Sequence, residues 1–117
     1  MLTLKEITEK LKLMPLNIQK KDLKMEIAGC YIGDLLSNVM AHAREADLWL
    51  TVQTHQNVVA VAQLLNLGGV VFLEGHLPQE DTVKRADAEK IPLFSTEDSA
   101  YILAGRLYEL GLTGRES

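Results

Sequence analysis

Apolar and polar positions alternate along this chain with two different periods, and the change of period marks the elements. Near the start, Leu4, Ile7 and Leu11 recur at helical intervals behind a Thr3–Glu6 pair with capping-box spacing, and Pro15 ends the pattern. A short extended segment at residues 16–19, a polar turn at 20–22 and a strand over 24–32 are expected next. In that strand Met25, Ile27 and Cys30 turn inward. The topology of residues 13–31 stays open at this stage. From Gly33 the pattern is sharper. Leu36, Val39, Met40 and Ala43 share one helical face. Residues 47–53 alternate as a strand, with Leu48, Leu50 and Val52 on one side and Trp49, Thr51 and Gln53 on the other.

The second half repeats the alternation. Residues 58–65 are apolar nearly all round, as in a helix pressed on a sheet, and Gly68-Gly69 breaks it. Residues 70–73 form a short, wholly apolar strand of the kind buried in parallel sheets. Pro78 followed by Gln79, Glu80 and Asp81 starts a helix that ends at Lys90, because proline suits a first turn and acidic groups there complement the helix dipole. Residues 91–95 are a strand, placed near a sheet edge by Pro92. A last helix follows, capped by Ser95 or Thr96, facing inward with Ala100, Leu103, Ala104, Leu107 and Leu110, and stopped by Gly111. Strands separated by helices over residues 24–110 predict an α/β fold: a mainly parallel sheet of four to five strands with helices on both faces. We expect one domain over residues 1–112 and a mobile tail at 113–117.

Bulk properties narrow the function. A chain of 117 residues, 47% hydrophobic and 24% charged, has the composition of a globular protein. No apolar run approaches the roughly 18–20 residues that cross a bilayer. The single Cys30 and the charged, amphipathic N-terminus fit a cytoplasmic protein. The net charge of −4 disfavours nucleic acid, since the one basic cluster, Lys20, Lys21 and Lys24, is interrupted by Asp22. We expect neither a nucleic-acid nor a membrane partner.

A parallel sheet delivers every strand end to one edge, where the following helices present free N–H groups. The segments that follow the strands are polar or small: Gly33-Asp34, Thr54-His55-Gln56-Asn57, Glu74-Gly75-His76 and Ser95-Thr96-Glu97. Thr54, Ser95 and Thr96 also make good N-caps, and Gly75 a good turn residue, so capping and turn formation are the plain readings. The ligand-binding candidates are Gly33, Asp34, Thr54, His55, Gln56, Asn57, Gly75, Ser95, Thr96 and Glu97. Gly33 and Gly75 would admit a ligand to the backbone, and Thr54, Gln56, Ser95 and Thr96 would hydrogen-bond it. No phosphate loop, dinucleotide fingerprint or nucleophile elbow is found, so no catalytic residue and no cofactor is assigned. His55 and His76 have no third ligand at recognisable spacing, so no metal is assigned. An enzyme using His55 with Asp34 or Glu97 is the outlying alternative.

Together these segments resemble a stand-alone DRTGG-domain protein. The similarity rests on Tyr31-Ile-Gly33-Asp34-Leu-Leu-Ser37, the run from Asp47 through Thr54-His55-Gln56-Asn57 to Ala62, Gly69-Val-Val-Phe-Leu-Glu74-Gly75, and Ile91-Pro-Leu-Phe-Ser95-Thr96-Glu97-Asp98-Ser99-Ala. Residues 74–110 are also similar to the N-terminal domain of HPr kinase/phosphorylase. A comparable module precedes the catalytic part of long phosphotransacetylases and accompanies CBS domains. Where the family pattern often has Thr-Gly-Gly, this chain has Leu73-Glu74-Gly75, so only Gly75 matches. The resemblance implies an α/β domain related to the N-terminal domain of Mur ligases, used for sensing or assembly. The expected role is a non-catalytic regulatory module that binds a nucleotide or phosphorylated metabolite at the C-terminal edge of the sheet. The alternative is a scaffold acting as a homo-oligomer, most simply a dimer, with Trp49, Tyr101 and Tyr108 either on its surface or covering helix–sheet seams.

Overall fold

The computed structural model describes residues 2–17 and 23–114. The expected turn at 20–22 and the end of the tail, 115–117, lie outside these, and so do residues 18 and 19 of the expected extended segment. Among the described residues, Leu2–Thr3 (β1) leads into helix α1 (Leu4–Leu11), then β2 (Met14–Pro15), β3 (Glu26–Ile27) and β4 (Gly29–Ile32). Strand and helix then alternate as α2 (Leu36–His42), β5 (Asp47–Thr51), α3 (Asn57–Leu64), β6 (Gly69–Phe72), α4 (Glu80–Glu89), β7 (Leu93–Ser95) and α5 (Ala100–Leu110). The main sheet runs in the order β2-β7-β6-β5-β4, with β4 to β7 parallel and β2 antiparallel to β7. The α/β expectation holds, with a mixed, mostly parallel sheet of five strands. No helix among the described residues is long and apolar enough to cross a membrane.

The pattern of the strands explains the layers. Along β5, Leu48 and Leu50 pack on one face with Val71, Leu73 and Phe94, beneath Leu4, Ile7 and Leu11 of α1 and Leu103 and Leu107 of α5. Trp49, Val70, Phe72 and Leu93 point the other way and pack under Val39, Val58, Val59, Ala62 and Ala86 of α2, α3 and α4. From β4 to β7 each parallel strand sits one place further across the sheet. Right-handed crossovers that all step in one direction put their helices on one face, which is why α2, α3 and α4 lie together. Only the connection after β7 goes to the opposite face, where α5 joins α1.

Several expectations are corrected. The strand over 24–32 is two strands: β3 pairs antiparallel with β1 in a separate two-stranded sheet, and β4 joins the main one. The break is at Ala28, whose N–H donates to the Ala46 carbonyl at 3.0 Å. Ile27 is buried as expected, whereas Met25 and Met40 stay exposed. Pro92 precedes β7 and its carbonyl accepts from Val70, so β7 sits inside the sheet and the edges are β2 and β4. Pro78 lies outside α4, which begins after Gln79. Helix α5 is capped by Ser99, whose Oγ accepts from Ile102 N, and neither Ser95 nor Thr96 caps it. Thr3 and Glu6 do form the capping box, and their hydrogen bonds hold the Glu6 carboxyl below its ordinary pKa. Gly105, inside α5, has an exposed helical position, where glycine destabilises by about 0.5–1 kcal/mol relative to alanine.

Cys30 is half-buried on β4, and desolvation, assisted by the negative charge of Asp47, raises its thiol from 9.0 to about 12. The unfolded chain ionises this thiol first, so the unfolded state binds fewer protons above pH 9 and stability falls with rising pH in the window from 9.0 to about 12. We expect urea-unfolding free energies of the wild type to drop faster over this window than those of Cys30→Ser. Parallel pH dependence in the two proteins would refute the assignment.

Candidate functional site

An open parallel sheet forms a crevice where connections from two neighbouring strands leave for opposite faces. That happens once among β4–β7, between β6 and β7, because α4 follows β6 to one face and α5 follows β7 to the other. A cleft of about 480 Å³ opens there. Gly75 and Leu77 line it from the β6 side, and Ser95, Thr96, Glu97 and Asp98 from the β7 side. The end of α1 contributes Leu11 and Lys12, β2 contributes Met14, and α5 contributes Arg106.

Backbone bonds fix the two loops to each other. Gly75 N donates to Thr96 O at 2.9 Å and Glu74 N to Asp98 O at 3.0 Å, while Thr96 N donates to Phe72 O at 3.0 Å. The turn needs left-handed backbone at both Glu74 (φ 57°) and Gly75 (φ 74°). A Cβ on Gly75 would meet the Glu97 carboxylate at 2.8 Å, so this position takes no side chain without moving Glu97. Thr96 Oγ1 accepts from Asp98 N at 3.1 Å, which leaves its hydroxyl hydrogen to donate elsewhere. Arg106 closes the back of the cleft: Nη1 bonds Asp98 Oδ2 at 2.5 Å and Nη2 bonds the Leu11 carbonyl at 3.1 Å. One guanidinium thereby joins the end of α1, the loop after β7 and α5. Lys12 caps α1 in the left-handed region (φ 54°), with its side chain exposed at the cleft wall.

The sequence-expected residues divide into two groups. Gly75, Ser95, Thr96 and Glu97 come together in the cleft. Gly33, Asp34, Thr54, His55, Gln56 and Asn57 follow β4 and β5 at the same sheet edge but do not line it. Their strands send helices to the same face, so no crevice separates them. The polar groups there fasten loops instead. Asp34 Oδ1 accepts from Thr51 Oγ1 at 2.7 Å and from Val52 N at 2.9 Å, and the Asp34 carbonyl accepts from Gln53 Nε2 at 2.9 Å. Gly33 O accepts the Trp49 indole at 2.8 Å. Thr54 is not an N-cap: its carbonyl accepts from Gln79 N and Thr82 Oγ1, and Gln56 occupies the N-cap position of α3. His55 Nδ1 accepts from Asn57 N at 3.1 Å.

Lys12, Asp98 and Arg106 escape sequence reasoning because nothing local marks them; Leu11 and Arg106 are 95 residues apart. Among the described residues, no three of His, Cys, Asp and Glu gather as metal ligands. No hydrogen bond among the described residues joins His55 to Asp34 or Glu97.

No family model matches the sequence, and no curated protein matches it. Among solved structures, the fold is similar to the CBS and DRTGG domains of the regulatory region of Clostridium perfringens pyrophosphatase, complexed with the activator diadenosine tetraphosphate. The TM-score is 0.68 at 14% identity, over 88% of this chain and 44% of that one. The likeness defines a fold shared with a CBS/DRTGG regulatory region. This chain spans less than half of that region's length.

Proposed function

We propose that this chain is a regulatory module of the DRTGG type, related also to the N-terminal domain of HPr kinase/phosphorylase, that takes up a nucleotide or another phosphorylated metabolite. Residues 1–112 act in this reading as one domain. The observation that carries it is the crevice between β6 and β7. It combines the place where open α/β sheets receive ligands with the exposed cation of Lys12, two hydroxyls and the Glu97 carboxylate, which lies against Gly75. The parts suggest an orientation. Lys12 takes the phosphate end as a point charge, Ser95 and Thr96 donate hydroxyl hydrogen bonds, and Glu97 accepts from ribose hydroxyls. Glu74 repels a phosphate, which places the anionic end on the Lys12 side. The activator nucleotide in the C. perfringens regulatory region supports the ligand class.

The test is a thermal-shift and calorimetric screen of mononucleotides, dinucleoside polyphosphates, sugar nucleotides and acyl phosphates. A true ligand at 100 times its Kd stabilises the fold by about 2.7 kcal/mol. Lys12→Gly keeps the left-handed helix end and removes the cation, so it should weaken a phosphorylated ligand by about tenfold, or 1.4 kcal/mol. A folded wild type that responds to no compound, or a ligand that binds Lys12→Gly and Glu97→Gln unchanged, overturns the proposal.

A further inference from the structure

Two large apolar side chains stand in the cleft without a role so far. Met14 is 62% exposed and Leu77 64%, and both line it. The sheet register says where they lie. Phe72 pairs with Ser95 and Ser95 with Met14, so these three side chains form one row across β6, β7 and β2, on one face of the sheet. Phe72 packs in the layer under α2, α3 and α4, so Ser95 and Met14 turn to that side as well. Leu77 lies in the connection that carries the chain from β6 to α4, which leads to the same side. Lys12 and Arg106 instead come from α1 and α5, the helices of the opposite layer. The cleft is therefore two-ended. One end is apolar, where Met14 and Leu77 flank Ser95, and the other is charged.

Spacing and charge both limit the occupant. Strands β2 and β6 lie on either side of β7, so their backbones stand two strand spacings apart, about 9.6 Å. A flat ring in van der Waals contact on both faces needs roughly 7–8 Å between the contacting groups. The charged side chains that line the cleft are Lys12, Arg106, Glu97 and Asp98. Arg106 is bound to Asp98, and among the described residues no ion pair occupies Lys12 or Glu97. A ligand thus meets one available cation and one opposing carboxylate. That balance suits a single phosphate group, whereas a polyphosphate chain would set its further negative charges against Glu97. The volume of about 480 Å³ is near the lower end of the roughly 300–1,000 Å³ usual for small-molecule sites, which favours one nucleoside unit over two.

We propose that the cleft takes a nucleoside monophosphate, with the base between Met14 and Leu77 and the phosphate on Lys12. This rests on the ligand-binding role proposed above and narrows its ligand class. A base brings the flat apolar faces that cover both side chains. Sugar phosphates and acyl phosphates bring none, and would leave Met14 and Leu77 in water. Methionine suits the contact because its flexible, polarizable thioether packs favourably on aromatic rings. Every base has such a face, so the clamp selects for a base and not among bases.

The experiment is isothermal titration calorimetry of the whole chain with AMP, ribose 5-phosphate, ATP, diadenosine tetraphosphate and acetyl phosphate. AMP should bind at least tenfold more tightly than ribose 5-phosphate and more tightly than ATP or the dinucleotide. Met14→Thr and Leu77→Ser alter exposed side chains, so their melting temperatures should match wild type. Each should reduce the preference for AMP over ribose 5-phosphate about fivefold, through the apolar contact it removes. Ribose 5-phosphate binding as tightly as AMP, or a preference unchanged in both variants, overturns the nucleoside assignment. Tighter binding of ATP or the dinucleotide overturns the single phosphate. Uptake of acetyl phosphate alone, weakened by Lys12→Gly, would overturn this inference while leaving the phosphorylated-ligand role intact. A folded chain that binds none of the five overturns the inference outright, and the wider panel then decides the role beneath it.

Discussion

Trp49→Ala is expected to cost about 3–5 kcal/mol of stability through the cavity it opens. The indole is fully buried in β5 between α2, α3 and the neighbouring strands, and it is the only tryptophan in the sequence. Its Nε1 also donates to the Gly33 carbonyl at 2.8 Å, which ties the exit of β4 to the middle of β5. Truncation therefore removes packing and leaves that carbonyl without its partner. Trp49→Phe separates the two effects: it retains most of the ring and should lose about 1 kcal/mol for the hydrogen bond alone, with a smaller packing loss on top. Domains of this kind have total stabilities of roughly 5–15 kcal/mol, so the alanine variant approaches the unfolding threshold. Urea titration followed by far-ultraviolet circular dichroism measures both without relying on tryptophan fluorescence. A loss below about 1 kcal/mol for Trp49→Ala would mean that the indole does not fill the α2–α3 layer as described.

The same residue shows what the sequence makes legible. Alternation along residues 47–53 assigns Leu48 and Leu50 to one layer and Trp49 to the other, and the structure agrees. The apolar runs at 58–65 and 70–73 likewise announce α3 and β6, because burial on every side leaves little room for polar residues. The two-residue strands β1, β2 and β3 carry too few positions to show a period, so their pairings are invisible in the pattern. The candidate site was legible in part. Parallel strands do send four polar segments to one edge, but sequence does not say which connections cross to the opposite face. That single topological fact selects Gly75 and Ser95–Glu97 over Asp34 and His55. It also brings in Lys12 and Arg106 from helices at opposite ends of the chain. Tyr101 and Tyr108 mark the converse limit: their aromatic character predicts burial as readily as contact, and only the packing shows them exposed.

Asn17 is the residue that the pattern missed most completely, and its loss should be the second large effect. The side chain is buried and substitutes for strand pairing where β2 ends. Its Nδ2 donates to the Ile91 carbonyl at 2.8 Å, and its Oδ1 accepts from Leu93 N at 2.9 Å, so one amide serves both backbone groups flanking the buried Pro92. Asn17→Ala leaves a buried carbonyl and a buried N–H unmatched, each costing about 1–3 kcal/mol, for a total of roughly 2–6 kcal/mol. Asn17→Asp gives the argument a sign. The carboxylate still accepts from Leu93 N but turns an oxygen towards the Ile91 carbonyl, and both that repulsion and burial raise its folded-state pKa. The deficit relative to wild type should then be smallest below about pH 4, where folded and unfolded forms are both protonated, and should grow as pH rises through the raised folded value. Denaturant unfolding of the wild type and both variants between pH 3 and 7 measures it. An Asn17→Ala protein within about 0.5 kcal/mol of wild type would show that β2 holds to β7 without this amide. The Lys12 and Met14 wall of the cleft would then be held by the β2–β7 pairing, by Leu16 N on the Leu93 carbonyl and by Arg106 on the Leu11 carbonyl.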